Sequence, residues 1–299
     1  MLVTIIGGAG AMGGWFAKFF KQNGADVRIV DRSAKTPEIA SSLGVDFMHV
    51  DILSQHCPSD ITEDITDTDV LIISVPINIT CNVIEAVGKR MKDGTLLMDL
   101  TSVKREPVRK MLECTKDNVE ILSIHPMFGP TAKSIRNQTV IFIEISGRRG
   151  KLCDEIENIF ERKGARIVFM SADEHDRTMA VIQGLSHFVL LSYGITLQNL
   201  NFNVEHAREM SPLYEIFTDF VGRILHQDPE LYANIQMNLD MKEIHEKFIA
   251  AAKMLSSSVL NRDEEKFKNI FLNARKHFGN TEKALKESDE IIEIKLNKR

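Results

Sequence analysis

The sequence predicts an α/β fold, a doubly wound parallel sheet followed by an all-α domain, and two observations lead to this. Apolar runs and helical patterns alternate over the first half of the chain, as they do where helices connect parallel strands. Beyond Ser171 the alternation stops, and apolar residues recur every three or four positions instead. We therefore expect two domains, residues 1–170 and residues 171–299.

Composition narrows the class of protein. The 299 residues are 43% hydrophobic and 26% charged, which is typical of globular domains, and a net charge of −5 argues against a general nucleic-acid binder. No apolar run looks long enough to span a bilayer, and the first one ends in glycines, as a strand does and a signal peptide does not. Four scattered cysteines without a C-x-x-C pair are typical of reduced thiols. We expect a cytoplasmic protein with no membrane, nucleic-acid or metal partner.

A glycine-rich stretch follows the first predicted strand, Val3–Ile6. Gly8, Gly10 and Gly13 have the G-x-G-x-x-G spacing of a Rossmann dinucleotide-binding motif. In that motif we expect Gly8 to allow the tight turn, Gly10 to admit the pyrophosphate and Gly13 to let the helix pack on the strand. Free N–H groups at the start of the helix suit phosphates. The predicted cofactor-binding residues therefore include these three glycines with Ala11 and Met12 between them.

An acidic residue ends the second predicted strand, Asp26–Val30. This residue, Asp31, follows Gly8 by 23 positions, about where the ribose-binding acid of a Rossmann fold stands. A carboxylate there favours NAD, because it repels the 2′-phosphate of NADP. Arg32 leaves NADP open, since its guanidinium could meet that phosphate.

Further elements are predicted in chain order, although the acidic segment Asp46–Asp67 has no clear assignment. The first-half elements are a helix at Pro37–Leu43, a strand at Val70–Pro76, a helix at Ile77–Arg90, a strand at Thr95–Asp99, a helix at Val103–Cys114, a strand at Ile121–His125, and strands at Thr139–Ser146 and Arg166–Met170 around a helix at Lys151–Lys163.

The second half is predicted to be helical throughout. A capping box at Ser171–Glu174 opens a long helix with an apolar stripe, Asp228 caps another, and helices are expected at Glu243–Leu260 and Glu264–Phe278. The stripe consists of Met179, Ile182, Leu185, Val189, Tyr193 and Leu197. So many apolar faces predict pairing with a second subunit, as a homodimer with active sites in clefts between the two kinds of domain.

Three stretches follow the carboxyl ends of predicted parallel strands, where such folds gather their ligands. They are residues 74–76, 99–104 and 125–130. Ser74, Val75, Pro76 and Thr101 are expected to contact the cofactor. His125, held before a stiff Pro-x-x-Gly-Pro loop, is the candidate general base beside the nicotinamide. The alternative is a histidine that packs against a turn, and the neighbouring cofactor motif favours catalysis.

Several motifs together resemble the prephenate and arogenate dehydrogenases of tyrosine biosynthesis. They are Gly-Gly-x-Gly-x-Met-Gly at 7–13, Thr-Ser-Val-Lys at 101–104, His-Pro-Met-Phe-Gly-Pro at 125–130, Glu-His-Asp-Arg at 174–177, Gln-Gly-Leu-Ser-His-Phe at 183–188, Ser-Pro-Leu-Tyr at 211–214 and the stretch from Gly222 to Tyr232. The resemblance spans most of the chain, and it suggests a stand-alone enzyme without a fused mutase or regulatory domain.

The resemblance implies the reaction, in which prephenate passes a hydride from ring C4 to NAD⁺, loses its ring carboxylate as CO₂ and becomes 4-hydroxyphenylpyruvate. It implies that His125 takes the 4-hydroxyl proton, that Ser102 orients the other ring nitrogen and that Arg223 grips a substrate carboxylate. His187 matches a second family histidine at the active-site wall. Lys104, a cation at a helix start, suggests a substrate or phosphate contact. His175 is interpreted as structural.

Other functions remain open from the sequence. Arogenate differs from prephenate by an amine in place of a keto group, and the sequence does not separate them. A dehydrogenase of the β-hydroxyacid or 6-phosphogluconate type has a similar layout, but it usually relies on a lysine of the helical domain, for which we find no clear equivalent. A non-enzymatic dinucleotide sensor would need the glycines and Asp31, but not His125, Ser102 and Arg223 together.

Overall fold

The computed structural model describes residues 1–55, 57, 59–205 and 210–297, and the chain divides into two compact units. The first unit, Met1–Met179, contains the sheet, and the second unit, Ala180–Arg299, is helical. The division falls after the first helix that follows the sheet, nine residues beyond the predicted boundary at residue 170 (179 minus 170).

An eight-stranded, mostly parallel sheet forms the centre of the first unit, in the order β3-β2-β1-β4-β5-β6-β7-β8 among the described residues. This confirms the predicted fold class. The strands are β1 Leu2–Ile6, β2 Asp26–Asp31, β3 Asp46–His49, β4 Val70–Ile73, β5 Leu96–Asp99, β6 Glu120–Pro126, β7 Thr139–Ile143 and β8 Arg166–Met170.

Helices connect most of these strands. They are α1 Ala11–Gln22, α2 Thr36–Leu43, α3 Ser59–Thr66, α4 Ile77–Gly88, α5 Arg105–Cys114 and α6 Lys151–Arg162, and α7 Ala172–Met179 follows the last strand. Strands β4 and β5 are buried along their whole length, as the continuous apolar runs predict. The sheet order steps from β3 back to β1 and then to β4, so the strand order reverses next to β1, where doubly wound folds bind their ligands.

The pairing of β6 with β7 is antiparallel, whereas the sequence predicts parallel strands throughout. The reason lies in the connection, residues 127–138, which contains turns and bends but no helix. A parallel pairing needs a crossover connection, usually a helix, whereas antiparallel strands can be joined by a loop. Strand β8 returns to parallel pairing with β7 after helix α6.

The second unit consists of a π-helical turn and six α-helices in the part of the chain that the structure describes. The π-helix is Ala180–Leu185, and the α-helices are α8 Ser186–Asn199, α9 Pro212–Leu225, α10 Pro229–Asn238, α11 Lys242–Leu260, α12 Glu264–Phe278 and α13 Thr281–Leu296. The predicted Asp228 cap is present, since its carboxylate accepts the Glu230 N–H at 2.9 Å.

The predicted long helix after Ser171 is interrupted by the π-helix. Gly184, within this turn, has no room for a side chain, because a Cβ would overlap the sulfur of Met241. Its carbonyl accepts a hydrogen bond from Gln236 Nε2 at 2.8 Å. Turns of this kind occur often at functional sites.

Apolar side chains remain uncovered across the second unit. Helix α8 has no buried residue, and Ile195, Phe220 and Leu225 are 55%, 50% and 63% exposed. By length and composition, the stretch Ala172–Asn199 could also cross a membrane, contrary to our expectation that no apolar run is long enough. One such helix is weak evidence of a membrane protein, because core helices of globular proteins can be equally long and apolar.

Candidate active site

The glycine-rich turn between β1 and α1 is built from residues that tolerate no side chain. The left-handed conformation falls on Gly7, with φ 82°, the residue before the Gly8 to which we assigned the tight turn. A Cβ on Gly7 would overlap the carbonyl oxygen of Ser74, and one on Gly13 would overlap the carbonyl oxygen of Gly7. The helix therefore packs directly against the end of the strand, as a dinucleotide-binding turn requires.

A cleft opens beside this turn, at the carboxyl ends of β1, β2 and β4. The predicted cofactor residues that line it are Gly10, Asp31, Arg32, Ser74, Val75 and Pro76. Gly8 and Gly13 lie within the turn, Ala11 and Met12 begin helix α1, and Thr101 follows β5.

The cleft has the parts that a dinucleotide needs. The carboxylate of Asp31 accepts the N–H groups of Ala9 at 3.1 Å and Ser33 at 2.9 Å, which fixes it at the end of β2. A carboxylate held there can accept ribose hydroxyl protons. Arg32 is mostly exposed, and its guanidinium lies 4.0 Å from Asp51, so it stands at the rim of the cleft.

His125 lies near the end of β6, where it pairs in register with Ile141 and is 3% exposed. Strand β6 is parallel to β5, so His125 stands at the same edge of the sheet as the cofactor cleft. Its Nδ1 atom lies 2.9 Å from Nε2 of His175, which is fully buried on helix α7. From the sequence we interpreted His175 as structural only. The structure instead shows that its ring contacts the ring of His125, the candidate base.

A second contact continues this chain of polar groups. Nδ1 of His175 lies 2.8 Å from Oδ1 of Asp176. The same carboxylate accepts the backbone N–H groups of Lys104 at 2.8 Å and Arg105 at 3.0 Å, at the N-terminus of α5. A carboxylate is well placed there, because it satisfies free N–H groups and the positive end of the helix.

The protonation of this group follows from its surroundings. Burial, above all, lowers the pKa of His125 well below its usual range, and the neighbouring His175 and Lys104 act in the same direction. Burial also lowers the pKa of His175. Burial alone would raise the pKa of Asp176. Hydrogen bonds from His175 and two backbone N–H groups outweigh burial and hold that pKa below its usual value. At neutral pH both imidazoles are neutral and the carboxylate is ionised.

Lys104 has a different environment from the one that we expected. Its side chain is fully buried, and its ammonium donates to Oδ2 of Asp99 at 2.7 Å. The same oxygen accepts the Thr101 N–H at 2.8 Å. A substrate contact would require this buried ion pair to break, so we do not propose one for Lys104. The ion pair instead closes the loop that carries Ser102.

Ser102 is half-buried in the loop between β5 and α5. The ring nitrogen that contacts His175 is Nδ1 of His125, so that nitrogen is oriented by His175. That Ser102 helps to orient the ring nitrogen of His125 that does not take the proton stays a prediction.

Trp15 connects the cofactor helix to the loop that follows His125. Its indole N–H donates to the carbonyl of Ala132 at 2.8 Å, and its ring lies 4.9 Å from that of Phe128. The loop after His125 is therefore anchored on α1, the helix that begins at the glycine turn. Sequence reasoning missed this contact because a lone tryptophan on a helix face is usually a core residue.

The second unit brings together three polar residues of the motifs. The rings of His187 and Tyr232 lie 4.6 Å apart at an interplanar angle of 69°. Burial raises the pKa of the Tyr232 phenol, and the charge of Arg223 opposes that shift. Burial lowers the pKa of His187, and its Nδ1 atom has no hydrogen-bond partner among the described residues. Arg223 itself is exposed on α9.

Comparison with protein families agrees with both halves of this architecture. Residues 16–169 match a family model described as the nucleotide-binding domain of prephenate dehydrogenase. Residues 171–273 match the model of its dimerization domain. The chain belongs to the prephenate dehydrogenase family.

Relatives within and around this family support the assignment over nearly the whole chain. A protein of Methanocaldococcus jannaschii named probable arogenate/prephenate dehydrogenase is 38% identical over 95% of this chain, which spans 62% of that relative's length. The T-protein of Haemophilus influenzae is 33% identical over 97% of this chain and 71% of its own length. These names leave the choice between prephenate and arogenate unsettled.

A solved prephenate dehydrogenase shares the fold. The crystal structure of the A. aeolicus enzyme, in complex with hydroxyphenyl propionate and NAD⁺, is 21% identical with a TM-score of 0.72. The comparison covers 92% of this chain and 96% of that one. In this member of the prephenate dehydrogenase family, sequence reasoning missed the contacts of Trp15, His175 and Asp176 in the first unit. In the second unit it missed the contact of Tyr232 with His187. All but Trp15 lie within the motifs of the resemblance, which was the available signal.

Proposed function

We propose that this protein catalyses the NAD⁺-dependent oxidative decarboxylation of prephenate to 4-hydroxyphenylpyruvate. The observation that carries the proposal is the position of His125. It is a buried, neutral histidine at the same edge of the sheet as a cleft with the parts of a dinucleotide site. A neutral imidazole in that position can accept the proton of a hydroxyl group as a hydride leaves the carbon that carries the hydroxyl.

The residues of the cleft fit a dinucleotide and would hold it in named places. The glycine turn and the start of α1 would meet the pyrophosphate, and Asp31 would meet the adenosine ribose. Ser74, Val75 and Pro76 line the cleft beyond the turn. When bound, the nicotinamide accepts the hydride. The carboxylate of Asp31 favours NAD⁺ over NADP⁺.

The chain's own residues then perform two tasks, positioning and proton transfer. His125 takes the proton of the 4-hydroxyl as the C4–H bond breaks with its electron pair. The hydroxyl-bearing carbon is then a carbonyl carbon. The bond to the ring carboxylate breaks next, CO₂ leaves, and its electron pair moves through the ring onto the C4 oxygen, which takes a proton back from His125 to give the phenol. Arg223 binds a substrate carboxylate, a task for which a planar guanidinium is suited. The formation of an aromatic ring drives the step.

The helical unit supports a dimeric enzyme. It exposes more apolar surface than a monomer in water usually does. The family model that matches it describes a dimerization domain. We propose a homodimer in which this surface is buried. The same burial would account for the apolar stretch Ala172–Asn199 without a membrane.

One assay tests the proposed function. Purified protein is supplied with NAD⁺ and with prephenate, arogenate or simple hydroxyacids in parallel, and reduction of the nicotinamide is followed with CO₂ release. We expect prephenate to give the highest kcat/KM. A clear preference for arogenate would reassign the substrate, and turnover of hydroxyacids alone would contradict the proposal. Binding of NAD⁺ with no turnover would indicate a dinucleotide sensor.

A further inference from the structure

The polar chain behind His125 has a direction that its members determine. Two contacts link three side chains of the first unit in series, His125 Nδ1 to His175 Nε2 at 2.9 Å and His175 Nδ1 to Asp176 Oδ1 at 2.8 Å. Each ring nitrogen in such a contact is either a donor or an acceptor. The direction of the whole chain therefore follows once one end is fixed.

Asp176 fixes that end. Its carboxylate is ionised, and it also accepts two backbone N–H groups at the start of α5, from Lys104 and Arg105. An ionised carboxylate offers only acceptors. Nδ1 of His175 must therefore carry the proton that lies between the two residues.

Because His175 is neutral, the direction of its hydrogen bond with His125 is also determined. The groups that act on it are Asp176 and Asp99, which favour its charged form, and Lys104, which disfavours it, and burial outweighs them to lower its pKa. A neutral imidazole protonated on Nδ1 has an acceptor at Nε2. The proton between the two histidines therefore belongs to Nδ1 of His125.

We propose that His175 and Asp176 act as a positioning relay that holds the proton of His125 on Nδ1 and so makes Nε2 the basic nitrogen. This inference rests on the proposed function of His125 as the base, and it names the nitrogen that does the work. A carboxylate sets the tautomer of a catalytic histidine in the same way in the Ser-His-Asp triad.

The relay also supports the charged state that His125 passes through. Once Nε2 has taken a proton, the ring is an imidazolium, and its Nδ1–H donates to His175 as a charge-assisted hydrogen bond. Asp176 stabilises that arrangement from behind. Loss of the relay therefore leaves His125 free to adopt the other tautomer and removes the acceptor of its Nδ1–H.

The first test needs no substrate and no variant. The protein is labelled with ¹⁵N-histidine, and long-range ¹H–¹⁵N spectra at neutral pH show which ring nitrogens carry protons. The signals of His125 and His175 among the nine histidines are assigned from their loss in His125→Asn and His175→Phe. We expect both rings to be protonated on Nδ1. A proton on Nε2 of His125 would overturn the relay, whether or not prephenate is a substrate.

Two substitutions at His175 separate a relay from a packing role. His175→Phe keeps a buried ring but removes the acceptor, and we expect roughly 10²-fold slower turnover, the size of effect that a misplaced reacting group produces. The acidic limb of the pH profile should shift, because the group that contacts Nδ1 of His125 is lost. His175→Gln keeps the pattern, because its amide can donate to Asp176 and accept from His125, so it should restore the His125 tautomer and much of the turnover.

A neighbouring acid provides the matched control. Glu174 is exposed on the same helix, and Glu174→Gln should leave turnover, tautomer and pH profile unchanged. Binding of NAD⁺, measured by calorimetry, checks that each variant is folded. Equal turnover and equal pH profiles for His175→Phe and His175→Gln would contradict the relay. If His175→Phe does not fold, the wild-type spectrum and the His175→Gln variant still show whether His175 sets the tautomer of His125.

Discussion

The ammonium of Lys104 donates to the Asp99 carboxylate at 2.7 Å, and both side chains are fully shielded from solvent. Asp99 ends strand β5, and Lys104 stands at the start of helix α5. The ion pair therefore closes the short loop that holds Thr101 and Ser102. Burial lowers the pKa of the Lys104 ammonium, and the adjacent carboxylate opposes that shift.

Removal of one partner should be costly. Lys104→Met leaves the Asp99 carboxylate buried without its counter-charge, and we expect the free energy of unfolding to fall by about 3–5 kcal/mol. Urea denaturation followed by circular dichroism measures this. The double variant Lys104→Met, Asp99→Leu should recover part of the loss, because it removes both charges. Lys92→Met, at the exposed Lys92–Asp67 pair, is the control and should change the free energy of unfolding little. An unchanged midpoint for Lys104→Met would contradict the burial of this pair.

Arg223 should act in substrate binding and contribute little to the chemical step. Arg223→Ala should raise the KM for prephenate and leave the KM for NAD⁺ almost unchanged, since removing one partner of a buried charge-assisted pair costs roughly 2–5 kcal/mol of binding. Steady-state kinetics with each substrate varied in turn make the measurement. Arg275→Ala, on α12, serves as the control. A fall in kcat at constant KM would instead place Arg223 in the transition state.

The apolar surface of the helical unit should be buried between two copies of the chain. Sedimentation equilibrium at micromolar concentration should give about twice the chain mass. Ile195→Lys places a charge on α8, where the native side chain is 55% exposed, and should shift the protein toward the monomer. Lys286→Glu, a charge change at an exposed position on α13, is the comparison. A monomeric wild type with full activity would refute the dimer.

Cofactor choice should depend on Asp31 more than on Arg32. We expect a higher kcat/KM with NAD⁺ than with NADP⁺, because the carboxylate at the end of β2 repels a 2′-phosphate. Asp31→Ser should lower kcat/KM with NAD⁺ and raise kcat/KM with NADP⁺, since Arg32 then faces the 2′-phosphate without a competing charge. Kinetics with both cofactors test this. A wild type that prefers NADP⁺ would show that Arg32 dominates.

The parallel part of the fold was predictable, because strands buried on both faces are continuous apolar runs. Val70–Ile73 shows this, and the structure confirms the sheet. The elements that the sequence left unassigned are β3, a mostly exposed strand at the sheet edge, and α3, a short acidic helix. Neither has the apolar pattern on which such predictions rest. The antiparallel β7 depended on a loop without a helix, a feature that local propensity does not encode.

The candidate site was predictable only in part, and for a related reason. Glycine spacing and the residue after a strand are local features, so Gly10, Asp31 and His125 could be identified. The contact between His125 and His175 joins residues 50 positions apart, and it depends on how α7 packs. The burial of Lys104 likewise contradicts the usual surface position of a lysine, and only the nearby Asp99 explains it.

The direct test of the account is the pH dependence of turnover in the wild type and in His125→Asn. Burial lowers the pKa of His125, so the neutral, active form should persist below the usual histidine pKa of about 6.5, and kcat/KM should fall only at lower pH. His125→Asn should bind prephenate and NAD⁺ nearly normally, lose roughly 10²–10⁴-fold in turnover and lose the acidic limb. Ser102→Ala should lose less turnover than His125→Asn. If His125→Asn keeps most of its turnover and its acidic limb, His125 is not the base, and His187 becomes the residue to examine.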